Sequence, residues 1–162
     1  MAVKLAKIYG ADIDKAAFAG RYHDIAKCFD IETMNEYILK YDINKKFLNN
    51  IALAHSKVAA ELLKNEYGVE DEDILNAVRS HTTGRVGMSL LEEIVYVSDA
   101  IEENRNYPEL GMLQELATVN LDKACVYIMD FAVQMILDRG AEVDEDTINA
   151  REYIRERLKK EK

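Results

Sequence analysis

Pro108 is the only proline in 162 residues, and seven glycines are the only other strong helix stops. A chain with so few of them leaves long stretches free to coil, because these two residue types most often end a helix. No segment shows sustained period-two alternation bounded by turn residues, whereas apolar residues recur at helical spacing throughout. Leu5 and Ile8 belong to a first helix that stops at Gly10, and the chain begins partway along it. Asp12 or Asp14 can cap a second helix through Ala16, Ala17, Ala19 and Gly20 to Tyr22, whose small residues predict close packing at the centre. Asp30 caps a third with Ile31, Met34, Ile38 and Tyr41; a fourth carries His55, Ala59 and Leu62 and stops at Gly68. A fifth starts near Asp71, with Ile74, Val78 and His81 on one face. Ser89-Leu90-Leu91-Glu92 is a capping box opening a sixth, where Leu91, Val95 and Asp99 share a stripe. Helices follow over 110–117 and 121–138, with Gly140 as a stop, and a last one runs from Asp144 into the tail Lys159-Lys160-Glu161-Lys162. No linker or repeat divides the chain. The fold class is all-α, a single-domain helical bundle over 1–162.

Charge narrows the partners. The net charge of −9 opposes binding to a nucleic-acid backbone, which needs a basic surface to displace counterions. A small anionic substrate stays open, since a metal and one or two local cations can reverse the sign inside a pocket. No run approaches the roughly 20 apolar residues that span a bilayer, and the first residues lack the apolar core of a signal peptide. Cys28 and Cys125 lie far apart, with no C-x-x-C pair, as expected of reduced thiols. The expected setting is cytoplasmic, with no membrane partner.

The chain has three histidines, and each falls at the inward face or the end of an expected helix. Any one alone is an ordinary core or surface residue, but the set is not. His23 is followed directly by Asp24, His55 and His81 stand on later helices, and Asp99 lies on the apolar stripe of the sixth. Imidazoles and carboxylates together suit a borderline divalent metal such as iron, manganese or zinc. Neighbouring side chains on a helix diverge by about 100°, so His23 and Asp24 can serve one metal only where the helix breaks. An acid on the stripe with Leu91 and Val95 would be buried and would need a compensating partner.

These residues, in this order, resemble the HD superfamily of metal-dependent phosphohydrolases. The resemblance is closest to the YqeK-like symmetrical diadenosine tetraphosphatases. It is carried by Tyr9-Gly10-Ala11-Asp12, by Ala19-Gly20-Arg21-Tyr22-His23-Asp24-Ile25-Ala26-Lys27, and by Ala77-Val78-Arg79-Ser80-His81-Thr82-Thr83-Gly84. Met88-Ser89 and Ser98-Asp99-Ala100-Ile101-Glu102-Glu103-Asn104-Arg105-Asn106-Tyr107-Pro108 complete it. The family has a further histidine on its first helix, upstream of the segment corresponding to Ala2–Gly10, and this chain does not contain it.

The resemblance implies that His23, Asp24 and Asp99 hold one metal, with iron expected and manganese or another divalent ion as substitutes. Asp24, His55 and His81 would be catalytic, serving a second metal or facing substrate phosphates. Lys27, Thr82 and Arg105 would bind the phosphates; Lys27 follows His23 by one helical turn, and Arg105 comes near the end of the Asp99 helix. Glu102 and Glu103 read as surface acids. The acidic run Glu70-Asp71-Glu72-Asp73 lacks the glycine and spacing of a calcium loop and reads as a helix N-terminus. Tyr9, Tyr22, Tyr37, Tyr41, Tyr96 and Tyr127 read mostly as core or half-buried, any one of them able to stack on a base, and Tyr107, just before Pro108, is the foremost candidate for that. The implied reaction is symmetrical cleavage of diadenosine tetraphosphate to two ADP. The alternatives are another HD-type nucleotide phosphohydrolase, acting on a monophosphate or a cyclic nucleotide, or a nucleotide-binding protein without turnover. A homodimer is compatible with any of these.

Overall fold

Asp12, Asp30, Asp71 and Ser89 each turn a side-chain oxygen onto free backbone amides and start a helix. Ser89 and Glu92 complete the reciprocal capping box. The computed structural model describes residues 1–160, in which the helices run α1 Ala2–Tyr9, α2 Ile13–Tyr22, α3 Ile31–Lys40, α4 Ile51–Asn65 and α5 Glu72–Ser80. They continue as α6 Leu90–Ala100, α7 Leu110–Val119, α8 Leu121–Asp138 and α9 Glu145–Lys160. No strand occurs among the described residues, so the all-α expectation holds. Glu161 and Lys162 of the expected basic tail lie outside them. Of the two caps offered for α2, Asp12 is the one used, and Asn50, not singled out in the sequence, caps α4 after a single 3-10 turn at Lys45–Phe47.

The small residues of α2 do what their size suggests. Ala16 and Ala19 are fully buried, and α2 packs against α1, α5 and α6. A Cβ added to Gly20 would stand 2.9 Å from the Ala2 Cβ, so the close approach of α1 and α2 depends on that glycine. Around this centre Met34, Ile38, Leu75, Ile94 and Met129 are fully removed from water. Each such side chain contributes about 1.5–3 kcal/mol of apolar burial. Helix α6 is buried continuously from Leu91 to Ser98 and packs on α1, α2, α5 and α8. Helix α9 is fastened to α6 and α8 through Arg157, which donates to Glu93 and to both carboxylate oxygens of Asp122. No helix among the described residues is long and apolar enough to cross a membrane.

Helix α2 ends where the chemistry begins. Beyond Tyr22 the backbone bonds tighten from i→i+4 to i→i+3: Ile25 donates to Tyr22, Lys27 to Asp24 and Phe29 to Ala26. The tighter winding re-aims successive side chains, and His23 and Asp24 both turn toward the ends of α5 and α6.

Candidate metal centre

The three histidines are held in the same way. His23 Nδ1 donates to the Gly20 carbonyl at 2.9 Å, His55 Nδ1 to Ile51 at 3.1 Å and His81 Nδ1 to Val78 at 2.7 Å. A carbonyl can only accept, so each neutral ring carries its hydrogen on Nδ1 and leaves a lone pair on Nε2. All three Nε2 atoms face Asp24, and that of His23 also faces Asp99. Asp24 Oδ1 lies 3.3 Å from both His55 Nε2 and His81 Nε2, and Asp24 Oδ2 lies 3.5 Å from His23 Nε2. Asp99 Oδ1 is 3.4 Å from His23 Nε2. The structure therefore brings His23, Asp24, His55, His81 and Asp99 together from four separate stretches of chain.

This is an arrangement of acceptors. The Nε2 atoms of His55 and His81 stand 3.1 Å apart, a contact that two lone pairs cannot stabilise without a cation or a proton. His23 Nε2 and Asp24 Oδ1 are buried and have no hydrogen-bond partner. Buried polar atoms are almost always paired, and an orphan pair in a basin of like polarity is accounted for by an ion. Donor atoms of His23, Asp24 and His81 lie within 4.8 Å of one another, as do those of His23, Asp99 and Glu102. The donor set fits a divalent transition metal: mixed imidazole and carboxylate, buried, with the ring tautomers fixed by backbone carbonyls.

The electrostatics agree. Burial opposes ionisation of Asp24, yet the Lys27 ammonium, together with the imidazoles of His55 and His81 when these carry a proton on Nε2, holds its carboxyl well below the usual range. Burial likewise opposes a charge on Asp99, and His23 and Arg105 outweigh it, so this acid too is held ionised. Burial pulls the His23 imidazole down, but Asp99 and Asp24 raise it overall. At His81 burial prevails and the pKa falls.

Lys27, Thr82 and Arg105 line a cavity of about 630 Å³ together with His55, His81 and Asp99. Their placements differ from the sequence reading. Lys27 sits in the tight turns after α2, not on a helix, and donates to Asp24 Oδ2. Arg105 lies in the loop beyond α6 and folds back, Nη2 reaching Asp99 Oδ1 at 2.7 Å and Nε its carbonyl at 3.1 Å. Thr82 Oγ1 stands 3.3 Å from His55 Nε2. Asp99 is less buried than its stripe suggested, with 19% of its side chain exposed, because it opens into the cavity. Glu102, read as a surface acid, approaches His23 and Asp99.

Two residues, Lys57 and Phe131, escaped the sequence reading. Lys57 is half-buried against α5, its ammonium donating to the Arg79 carbonyl and to Thr83 Oγ1, which ties α4 to the turn that carries His81 and Thr82. Phe131 and Tyr127, on α8, wall the far end of the cavity; Tyr127 is exposed rather than part of the core.

Such a donor set at the end of a cavity is what a metal-dependent hydrolase requires. The family model described as HD domain matches residues 1–104, and the chain belongs to that family. It is 39% identical over 147 residues to a Bacillus subtilis (strain 168) protein named "Bis(5'-nucleosyl)-tetraphosphatase, symmetrical", covering 90% of this chain and 79% of that one. A protein of the same name from Halalkalibacterium halodurans is 36% identical over 91% of this chain and 79% of its own. A crystal structure from Clostridium acetobutylicum, described as a predicted HD superfamily hydrolase involved in NAD metabolism, matches with a TM-score of 0.91. It is 38% identical and the match covers 96% of this chain and 84% of that one. The resemblance stated from the sequence is borne out at the level of family and branch.

Proposed function

We propose that this chain hydrolyses diadenosine tetraphosphate symmetrically to two ADP, in the cytoplasm, with iron as its resident metal. The convergence of three buried Nε2 lone pairs on the Asp24 carboxylate carries the reading. The printed names of the relatives support the choice of substrate. His23, Asp24 and Asp99 would hold the ion, with His81 within reach of it. Such an ion supplies Lewis acidity, offsetting charge on the phosphoryl oxygens and making water more acidic.

The chain's own groups do the rest. Asp24, held ionised, orients the attacking water with His81. His55 Nε2, free of hydrogen and beside Thr82, takes its proton. One P–O bond forms from water to a central phosphorus, and the bridging P–O bond breaks, its electron pair leaving with the second ADP. The Lys27 ammonium uses one donor on Asp24 and keeps two for phosphate oxygens. Arg105 keeps Nη1 free on the cavity side of Asp99. The Thr82 hydroxyl adds a neutral donor.

Incubation of the purified chain with diadenosine tetraphosphate and iron or manganese, with products separated by chromatography, tests this. ADP as the sole nucleotide product supports the reading. ATP with AMP, or hydrolysis of monophosphates while the tetraphosphate stays intact, contradicts it.

A further inference from the structure

Two cavities reach the acids at the end of α6. The larger, of about 630 Å³, is lined by Asp99 but not by Glu102. A second, of about 140 Å³, is lined by Glu102 but not by Asp99, together with Ala2, Ala17, Gly20 and Ser98 of α1, α2 and α6. Glu102 follows Asp99 by three residues, just beyond the end of the helix, and a donor atom of each lies within 4.8 Å of the other and of His23. His23 is only 6% exposed. Its Nε2, left without hydrogen by the bond from Nδ1 to Gly20, has no hydrogen-bond partner. Two ligands held tetrahedrally at about 2.1 Å from one metal stand roughly 3.4 Å apart, and His23 Nε2 lies 3.4 Å from Asp99 Oδ1. The charges are unevenly matched. Asp24 pairs with Lys27 and Asp99 with Arg105. Among the described residues no cation pairs with Glu102, whose carboxylate lies toward His23 and Asp99.

We infer that Glu102 is a direct ligand of the ion held by His23 and Asp99, reaching it from the side of the small cavity. A carboxylate on three rotatable bonds can close the remaining distance, and an octahedral ion such as manganese has a place for it beside His23, Asp24 and Asp99. Ligation from this side leaves the face toward the large cavity, where Lys27, Thr82 and Arg105 stand, for the phosphates. The small cavity has room for water, at about 30 Å³ a molecule, so solvent can complete the coordination there. The inference rests on the metal reading given above, and deepens it by adding a ligand and by fixing which face of the ion is left for substrate.

The test uses the purified chain stripped with a chelator and reloaded with Mn²⁺, followed by electron paramagnetic resonance, or with Co²⁺, followed by visible absorption. In Glu102→Gln the dissociation constant for Mn²⁺ rises at least about tenfold, since even an outer partner of a metal ligand is worth that much. The Co²⁺ absorption changes in shape, as loss of a ligand requires. Glu103→Gln removes the same charge from the neighbouring, exposed position and leaves both readouts as in the parent. Glu102→Asp keeps the carboxylate and recovers part of the affinity. The chelated variants match the chelated parent in circular dichroism and urea midpoint. Parent-like Mn²⁺ affinity in Glu102→Gln, or an equal loss in Glu103→Gln, overturns the proposal. If Asp24→Ala loses Mn²⁺ while Glu102→Gln keeps it, Glu102 is no ligand and the metal reading stands. If Glu102→Gln loses Mn²⁺ but the loaded parent leaves diadenosine tetraphosphate intact, the ligand stands and the reaction assignment fails. A parent chain that binds neither ion overturns both.

Discussion

Single residues decide whether the site keeps its shape. Lys57 of α4 is half-buried against the end of α5, where desolvation pushes its ammonium pKa down although Asp146 and Asp144 pull it up. Its two hydrogen bonds, to the Arg79 carbonyl and to Thr83, compensate that burial. Lys57→Met keeps much of the volume but strands both acceptors, and unfolding in urea should show a loss of about 1–3 kcal/mol. Gly84, just beyond Thr83, has φ +69°, and an added Cβ would meet Met129 Cε at 2.7 Å and Ala150 Cβ at 3.2 Å. Gly84→Ala is therefore strained twice over, with an expected loss of about 1–3 kcal/mol, above the conformational cost alone. A variant as stable as the parent would mean that this turn tolerates other backbone conformations.

At the scale of elements, Arg157 ties α9 to both α6 and α8. Burial raises the Glu93 pKa to about 7, against the pull of the Arg157 guanidinium and with some help from the Asp122 charge. The folded chain thus holds this proton more tightly than the unfolded chain does. Stability from Glu93 is full below its unfolded pKa near 4.5, and is lost as pH rises through about 7. Unfolding free energies measured across this window should fall more steeply in the parent chain than in Glu93→Gln. Identical slopes would show that Arg157 keeps Glu93 ionised throughout. Elements were the most legible part of the sequence, because caps and stops are local chemistry. Asp12, Asp30, Asp71 and Ser89 mark four helix starts by their side chains alone. The α8 stripe was legible as a helix face, but not as a cavity wall. Tyr127 and Phe131 have the spacing of core residues, yet both stay exposed on the cavity wall.

At the scale of the whole molecule, the fold works by convergence. Residues 23 and 24 close α2, His55 stands in α4, His81 closes α5 and Asp99 comes near the end of α6. The order of these residues was readable from the sequence, and so was the need for a helix break at His23-Asp24. Their mutual distances were not, because they depend on how α2 lies against α5 and α6. Nor could the partners of Lys27 and Arg105 be read, since each folds back on a site acid from a turn or a loop. Because four elements contribute, a bound divalent ion should stabilise the entire domain. At a hundredfold excess over its dissociation constant it adds about 2.7 kcal/mol to unfolding, seen as a shift between metal-loaded and chelated chain.

The most direct test is the metal content of the purified chain, by elemental analysis after iron loading and gel filtration, beside that of Asp24→Ala. The account predicts bound transition metal in the parent and less than about a tenth of it in the variant, since losing even an outer partner of a metal ligand costs 10- to 100-fold in affinity. A folded Asp24→Ala chain that retains its metal would contradict the claim that these side chains form one cation site.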